Sequence, residues 1–375
     1  MGRFFRDISW TKQFLYIIPL CYLFYSLFIE IFHGNGNLSS RANFLIIWLF
    51  IGFALSEKGP LKQPVVSALV FCIYTCLVLL FSPSNFEYNY ISVLSCIFVW
   101  PFALYNSCNI KLSKNDLEIS SIFLGITCNV IAFIWFTGIR TYHGPNSVLA
   151  YNSVYYILIA TLYVFLIRKT IIQIILLPYP IFVLISSGKT TCVVLAAALV
   201  IYYIFDNLRK KGLVQKIGLI ALVTIVGFWF LFSINITEIY DSVFFDFDNG
   251  GSGRTDIWAN ALNIISNSDI SLFIGHGYGA TTSILNIGAH NDLLEIFIDF
   301  GLIGVVLYII FCYQIFIAYK RITPVNKYRL IYVMTFILFI SMSMVSKLVG
   351  TQIQFLLFTT MWGMLLQHKL KSNAA

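Results

Sequence analysis

The chain has 375 residues, of which 59% are hydrophobic, 17% aromatic and only 11% charged, with a formal net charge of +8. Soluble domains carry about 25% charged residues, so a chain this poor in charge cannot dress a globule for water. That excludes a cytosolic enzyme, a disordered chain, a coiled coil and a disulfide scaffold, and leaves an all-α polytopic membrane protein.

In chain order, Arg3, Arg6 and Lys12 precede a first apolar stretch of the length that crosses a bilayer. It has no small-residue cleavage site and is expected to be a retained span, not a signal peptide. Further apolar runs predict spans near 42–56, 64–82, 89–107, 119–137, 149–167, 170–186, 190–205, 217–235, 294–318, 329–346 and 350–367, which with 13–32 makes about twelve transmembrane helices. The eight cysteines lie in or beside these runs without a close CxxC pair, as small apolar packing residues do.

The basic residues orient the bundle. With both termini cytoplasmic, 19 of the 24 Lys and Arg residues fall in inside segments, including Lys58, Lys62, Lys111, Lys114, Arg209 to Lys211, Lys320, Arg321, Lys369 and Lys371. Only Arg41, Arg140, Lys189, Arg254 and Lys347 fall outside, whereas Asp241, Asp246, Asp248, Asp256, Asp269, Asp292, Glu295 and Asp299 all do. This is the positive-inside pattern, so the +8 is an orientation signal and implies no nucleic-acid partner. The expected organisation is one integral membrane domain over 1–375, with one large outside loop at 236–293. Within that loop Ile257, Trp258, Ala261, Leu262, Ile264 and Ile265 recur at helical spacing among polar residues, predicting an amphipathic helix that lies on the membrane or caps the bundle.

The few outside cations can be taken singly. Arg41 suits a headgroup position and Lys347 a snorkelling one. Arg140 stands in the polar turn Gly138-Ile-Arg-Thr-Tyr-His-Gly-Pro-Asn146, where Gly144-Pro145 breaks the helix and Asn146 can cap the next one. Lys189, in Ser186-Ser-Gly-Lys-Thr-Thr191, lacks the upstream glycine and strand of a nucleotide P-loop; it reads as a cation for an anion or as a snorkelling helix end. Arg254 follows the glycines of Asn249-Gly-Gly-Ser-Gly-Arg-Thr-Asp256, a loop that allows close backbone approach, and its planar fork suits a phosphate or a nearby aspartate. Asp246-Phe-Asp248 has the form of a metal-binding DxD, but it lies outside, where nucleotide sugars are absent, and no ligand spacing predicts a metal or other cofactor.

The densest constellation is Gly275-His-Gly-Tyr-Gly279, then Ala289-His-Asn-Asp-Leu-Leu-Glu295, then Phe300-Gly-Leu-Ile-Gly304. His290 precedes a long apolar helix that Asn291 can cap, with Glu295 one turn on. An imidazole with an ordinary pKa near 6.5 suits proton transfer from a sugar hydroxyl.

These motifs resemble the O-antigen polymerase (Wzy-type)/O-antigen ligase superfamily. The Arg-Thr-x-x-Trp beginning at Arg254, Gly275 to Gly279 and the His290-Asn block carry the resemblance. The Arg140 to Asn146 turn is similar to an earlier periplasmic motif, and Ser187-Gly-Lys189 to a Ser-Arg position at which this chain has lysine. The resemblance implies a GT-C-like membrane glycosyltransferase of the bacterial inner membrane. It would be inverting and metal-independent, with its active site facing the periplasm and an undecaprenyl-diphosphate-linked oligosaccharide as donor. On that reading His290 takes the acceptor proton, Arg254 and Arg140 are catalytic, and Lys189 helps hold the diphosphate. Tyr142, Asn146, Asn291, Glu295 and Tyr278 are further substrate contacts, Asn291 or Glu295 orienting the imidazole. Partners would be membrane lipid and a chain-length regulator protein. A polymerase is expected from the richness in Ile, Phe, Tyr and Asn. The alternatives are a ligase acting on lipid A-core and, outside enzymes, a lipid-linked oligosaccharide flippase, which the scarcity of mid-span charge and the lack of a repeat disfavour.

Overall fold

The structure, a computed structural model, describes residues 59–81, 90–109, 113–139, 148–187, 189, 192–193, 196–197, 254–266, 271–322, 327–345 and 352–367. The expected spans 13–32, 42–56 and 217–235, most of 190–205, and the Arg140 to Asn146 turn lie outside these residues. Among the described residues every secondary-structure element is a helix. Three are long and apolar enough to cross a membrane, Gln63–Leu80, Asn115–Ile139 and Asp292–Ala318, and shorter apolar helices accompany them. By length and composition these helices are compatible with a membrane protein.

The chain packs as two compact units, one of residues 124–252 and one of residues 1–123 with 253–375. In the first, the later part of helix α3 (Lys114–Ile134) widens into a π-turn, Trp135–Ile139, directly before Arg140 in the sequence. Such turns recur at functional sites because the extra residue re-aims the chain beyond it. Helix α4 (Val148–Val164) ends on Gln173, whose buried amide donates to the carbonyls of Phe165 at 3.2 Å and Ile167 at 2.8 Å. The expected span 170–186 is divided at Leu177 into α5 (Thr170–Leu176) and α6 (Pro178–Ser186). Pro180 has no N–H for the carbonyl of Leu176 four residues back; Asn129 of α3 supplies the missing donor at 2.9 Å.

In the other unit, α1 (Gln63–Phe81) and α2 (Tyr90–Asn109) pack with α10 (Asp292–Ala318), α11 (Lys327–Val345) and α12 (Gln352–Gln367). Their core is aromatic: Trp100 meets Phe355 edge-on at 4.4 Å and Trp362 meets Phe339 at 5.0 Å. Gly363 lets α12 approach α2 so closely that a Cβ there would lie 2.3 Å from that of Ser107, the small-residue contact membrane helices use where apolar burial does not drive association. Three shorter helices, α7 (Arg254–Ser266), α8 (Ser271–Ile274) and α9 (Ala280–Leu285), gather over the start of α10. The expected amphipathic helix is α7. It buries Ala261 with Ala280 and Ile298, flanked by Ile265, Leu285 and Leu294, and leaves Leu262 exposed.

The expected continuous span 294–318 differs from the structure at one residue. Gly301 has φ 66° and ψ −169°, which no helix contains, so α10 is two arms, 292–300 and 302–318. The arms fold back on each other. In a straight helix Asp292 and Tyr308 would stand about 24 Å apart along the axis, yet the Tyr308 hydroxyl lies 3.4 Å from Asp292 Oδ2. A Cβ on Gly301 would lie 2.4 Å from the carbonyl of Phe273 and 2.6 Å from the amide of Gly275. Gly301→Ala combines a left-handed torsion with a collision against main chain, and should cost at least about 3 kcal/mol. Thermal unfolding of the purified variant in detergent should show a Tm lowered by several degrees, or no folded protein at all.

Candidate active site

The break at Gly301 deprives the end of the first arm of its helical donors, and the surrounding chain replaces them. The carbonyl of Ile298 accepts from the amide of His276 at 2.8 Å, and that of Asp299 from Gly277 at 3.0 Å. The Tyr74 hydroxyl of α1 donates to the carbonyl of Phe300 at 2.8 Å. To reach the arm, the Gly275-His-Gly-Tyr-Gly279 loop takes left-handed torsions at each glycine, φ 89°, 110° and 77°. A Cβ at Gly275 would lie 2.3 Å from the Asp299 carbonyl oxygen. Tyr278, half-buried, packs its ring 6.1 Å from that of Phe300.

The first arm carries Asp292, Glu295 and Asp299, all buried, spaced to share one helix face. A buried carboxylate persists only where donors compensate for lost water, and each accepts at least one hydrogen bond. Asp299 accepts the amide of Gly279 at 2.9 Å on Oδ2, and the amide and hydroxyl of Thr281 at 2.8 and 2.7 Å on Oδ1. Glu295 Oε1 accepts the main-chain N–H of His290 at 3.2 Å. Asp292 accepts from Tyr308, whose hydroxyl also lies 3.1 Å from Ser343 Oγ of α11.

His290 is a non-glycine residue at φ 52°, on the turn that opens α10. Its flanks are held on both sides. Trp258 Nε1 of α7 donates to the carbonyl of Ala289 at 2.8 Å. Asn291 caps the helix, its side-chain oxygen accepting from Leu293 and Leu294 at 3.0 and 3.3 Å, and its amide nitrogen reaches the carbonyl of Met344 at 3.4 Å. The cap expected at Asn291 is present. Asn291 thus spends its oxygen on the helix end, and the contact from Glu295 to His290 is made to the main chain. Arg254 opens α7 one turn before Trp258, so the tryptophan ties the start of that helix to the histidine turn.

In the other unit, Lys189 is half-buried with its ammonium 3.9 Å from the centre of the Tyr155 ring, a cation–π contact. Its amide donates to Ser187 Oγ at 3.3 Å. Arg140, Tyr142 and Asn146 lie outside the described residues, as does Asp246-Phe-Asp248. Among the described residues no group of His, Cys, Asp and Glu has the arrangement of a metal site.

Residues 174–309 match the family model described as O-antigen ligase (Wzy_C). Over that stretch the chain is similar to the O-antigen polymerase/ligase superfamily. No curated protein and no solved structure gives a significant match. The matched stretch begins within α5 and ends in the second arm of α10, so it contains Lys189, Arg254, Tyr278, His290, Asn291 and Glu295, while Arg140, Tyr142 and Asn146 precede it. It supports O-antigen polymerase or ligase activity in general, a glycosyl transfer in polysaccharide assembly.

Several residues that shape this site carry no role in the sequence reading. Trp258 closes the Arg-Thr-x-x-Trp motif and reads from sequence as part of a covering helix, and Tyr308, Ser343 and Tyr74 sit inside apolar runs. The recurrence of acids at 292, 295 and 299 in an otherwise apolar stretch was the available signal. Since both oxygens of Asp299 accept main-chain N–H groups, Asp299→Asn sets an amide NH2 against an N–H donor in either orientation. We expect a loss of about 2–3 kcal/mol, read as a lower Tm in detergent.

Proposed function

We propose that the protein is a polymerase of a lipid-linked surface polysaccharide, transferring the growing glycan from undecaprenyl diphosphate to the non-reducing end of a lipid-linked repeat unit at the periplasmic face of the inner membrane. The observation that carries this reading is the hold on His290: a histidine in a left-handed conformation, fixed through Trp258, Glu295 and Asn291, within the matched stretch. Such a conformation persists where the surroundings over-determine it, and it clusters at functional sites.

In the proposed reaction the acceptor hydroxyl oxygen bonds to the anomeric carbon from the face opposite the diphosphate, and the bond from that carbon to the phosphate oxygen breaks. His290 takes the hydroxyl proton. The diphosphate leaves with the bonding electrons, and Arg254 and Arg140, with Lys189, are the residues proposed to stabilise its growing charge, an interaction stronger in the transition state than in the ground state. Tyr142, Asn146 and Tyr278 are proposed substrate contacts. Asn291 and Glu295 serve through the histidine turn. The reaction draws on no metal, and a chain-length regulator is the proposed protein partner.

His290→Ala, expressed at normal membrane levels, should make no polymer. Wild-type protein incubated with extracted lipid-linked repeat units should extend them equally with and without EDTA. Gel electrophoresis of lipopolysaccharide from a deletion strain separates the two superfamily activities: core bearing one repeat unit marks a lost polymerase, bare core a lost ligase.

A further inference from the structure

The fold-back of α10 is symmetric about Phe300. Four residues to either side, Ile296 and Gly304 meet: a Cβ on Gly304 would lie 3.4 Å from Ile296 Cγ2. Eight residues to either side, Asp292 and Tyr308 meet through the 3.4 Å hydrogen bond. The two arms therefore run alongside each other, and the far tip of the first arm, two residues beyond Asp292, is His290. The pivot is secured separately, by the His276 and Gly277 amides and the Tyr74 hydroxyl on the carbonyls of residues 298–300. The tip is secured from α11. Asn291 reaches the Met344 carbonyl at 3.4 Å, and Ser343, its neighbour in sequence, joins the Tyr308 hydroxyl at 3.1 Å.

We propose that Tyr308, hydrogen-bonded to both Asp292 and Ser343, is a positioning residue for His290. This rests on the reading of His290 as the proton acceptor. Tyr308 lies on the second arm, is buried, and is not itself the proton acceptor. Its hydroxyl joins the second arm, the tip of the first arm and the end of α11, three pieces whose relative placement sets where the imidazole stands. Proton transfer in the transition state depends on that placement, and a displacement of about 1 Å can cost a hundredfold in rate. Its ring also packs against Phe71, Phe311 and Phe339, with centroids 5.8, 6.5 and 6.5 Å away. Tyr308→Phe keeps that packing and removes only the bridging hydroxyl.

The test is a comparison of wild type, Tyr308→Phe, His290→Ala and the double variant. All are purified as the full chain and assayed on lipid-linked repeat units extracted from a strain lacking the protein. We expect Tyr308→Phe to lower kcat about tenfold or more while KM stays within twofold and Tm within two or three degrees. In the His290→Ala background the same change should cost nothing further, because a residue acting through the imidazole has nothing left to position. A Tyr308→Phe enzyme with wild-type kcat overturns the proposal. So does a loss of kcat that comes with a fall in Tm of more than about three degrees, or one that adds to the His290→Ala loss; either marks a structural role. If His290→Ala turns over too slowly to time, the kcat, KM and Tm of the single Tyr308→Phe variant decide. A fully active His290→Ala enzyme overturns the proton-acceptor reading and the positioning role with it. An inactive His290→Ala beside a normal Tyr308→Phe overturns only the latter.

Discussion

Three consecutive carbonyls, those of Ile298, Asp299 and Phe300, govern the architecture of the candidate site. The left-handed torsion of Gly301 takes away the amides that would have served them in a continuous helix. A buried carbonyl without a donor costs on the order of a hydrogen bond or more, so the break is stable only with replacements. Those come from His276, Gly277 and Tyr74. That need dictates much of the surrounding loop. It must bring main-chain amides against helix carbonyls, which no side chain at Gly275 would allow, and it must turn through three left-handed torsions to do so. Asp299 then fixes the loop's exit by holding Gly279 and Thr281. The glycine-rich motif is thus explained by the backbone of α10, before any ligand is invoked.

The same requirement is met differently elsewhere in the chain. Where Pro180 removes a donor, Asn129 provides one, and where α4 ends, the Gln173 amide serves the carbonyls of the turn that follows. Polar side chains here repair the backbone instead of facing water. That is the behaviour expected when the surrounding medium cannot hydrogen-bond, and it explains how a chain with 11% charged residues keeps buried Asn, Gln and Thr among its aromatic packing.

Much of the fold was legible in the sequence because it depends on local pattern. Apolar runs gave the helices, polar spacing gave α7, and His-Asn before an apolar run gave the cap at Asn291. What escaped depends on contacts between residues far apart in the chain. A glycine inside an apolar run reads as a tolerated helix residue, so Gly301 looked like part of a span, and the approach of Tyr308 to Asp292 could not be inferred from a separation of 16. Trp258 carried the opposite difficulty: its helical spacing identified a buried face, and the same spacing hid that its indole N–H binds the residue before His290. The turn at Arg140 lies outside the described residues; the π-turn leading into it was invisible, since one extra residue in a helix leaves no mark on composition.

Three acids beside a site proposed to bind a diphosphate look electrostatically misplaced, until their hydrogen bonds are traced. Asp299 spends both oxygens on main-chain and hydroxyl donors of the loop, Glu295 holds the amide of His290, and Asp292 takes the Tyr308 hydroxyl. Donors of this kind compensate a buried carboxylate. Asp292 and Glu295 also stand in the first turn of α10, where the helix dipole favours negative charge, whereas Asp299 stands at the other end of the arm and depends on the loop donors. The acids therefore act on the protein's own backbone: they hold the loop, the histidine turn and the folded-back arm in register. In the proposed reaction that leaves the two charge signs with separate tasks, the carboxylates shaping the frame around His290 and the scarce outside cations meeting the anionic substrate.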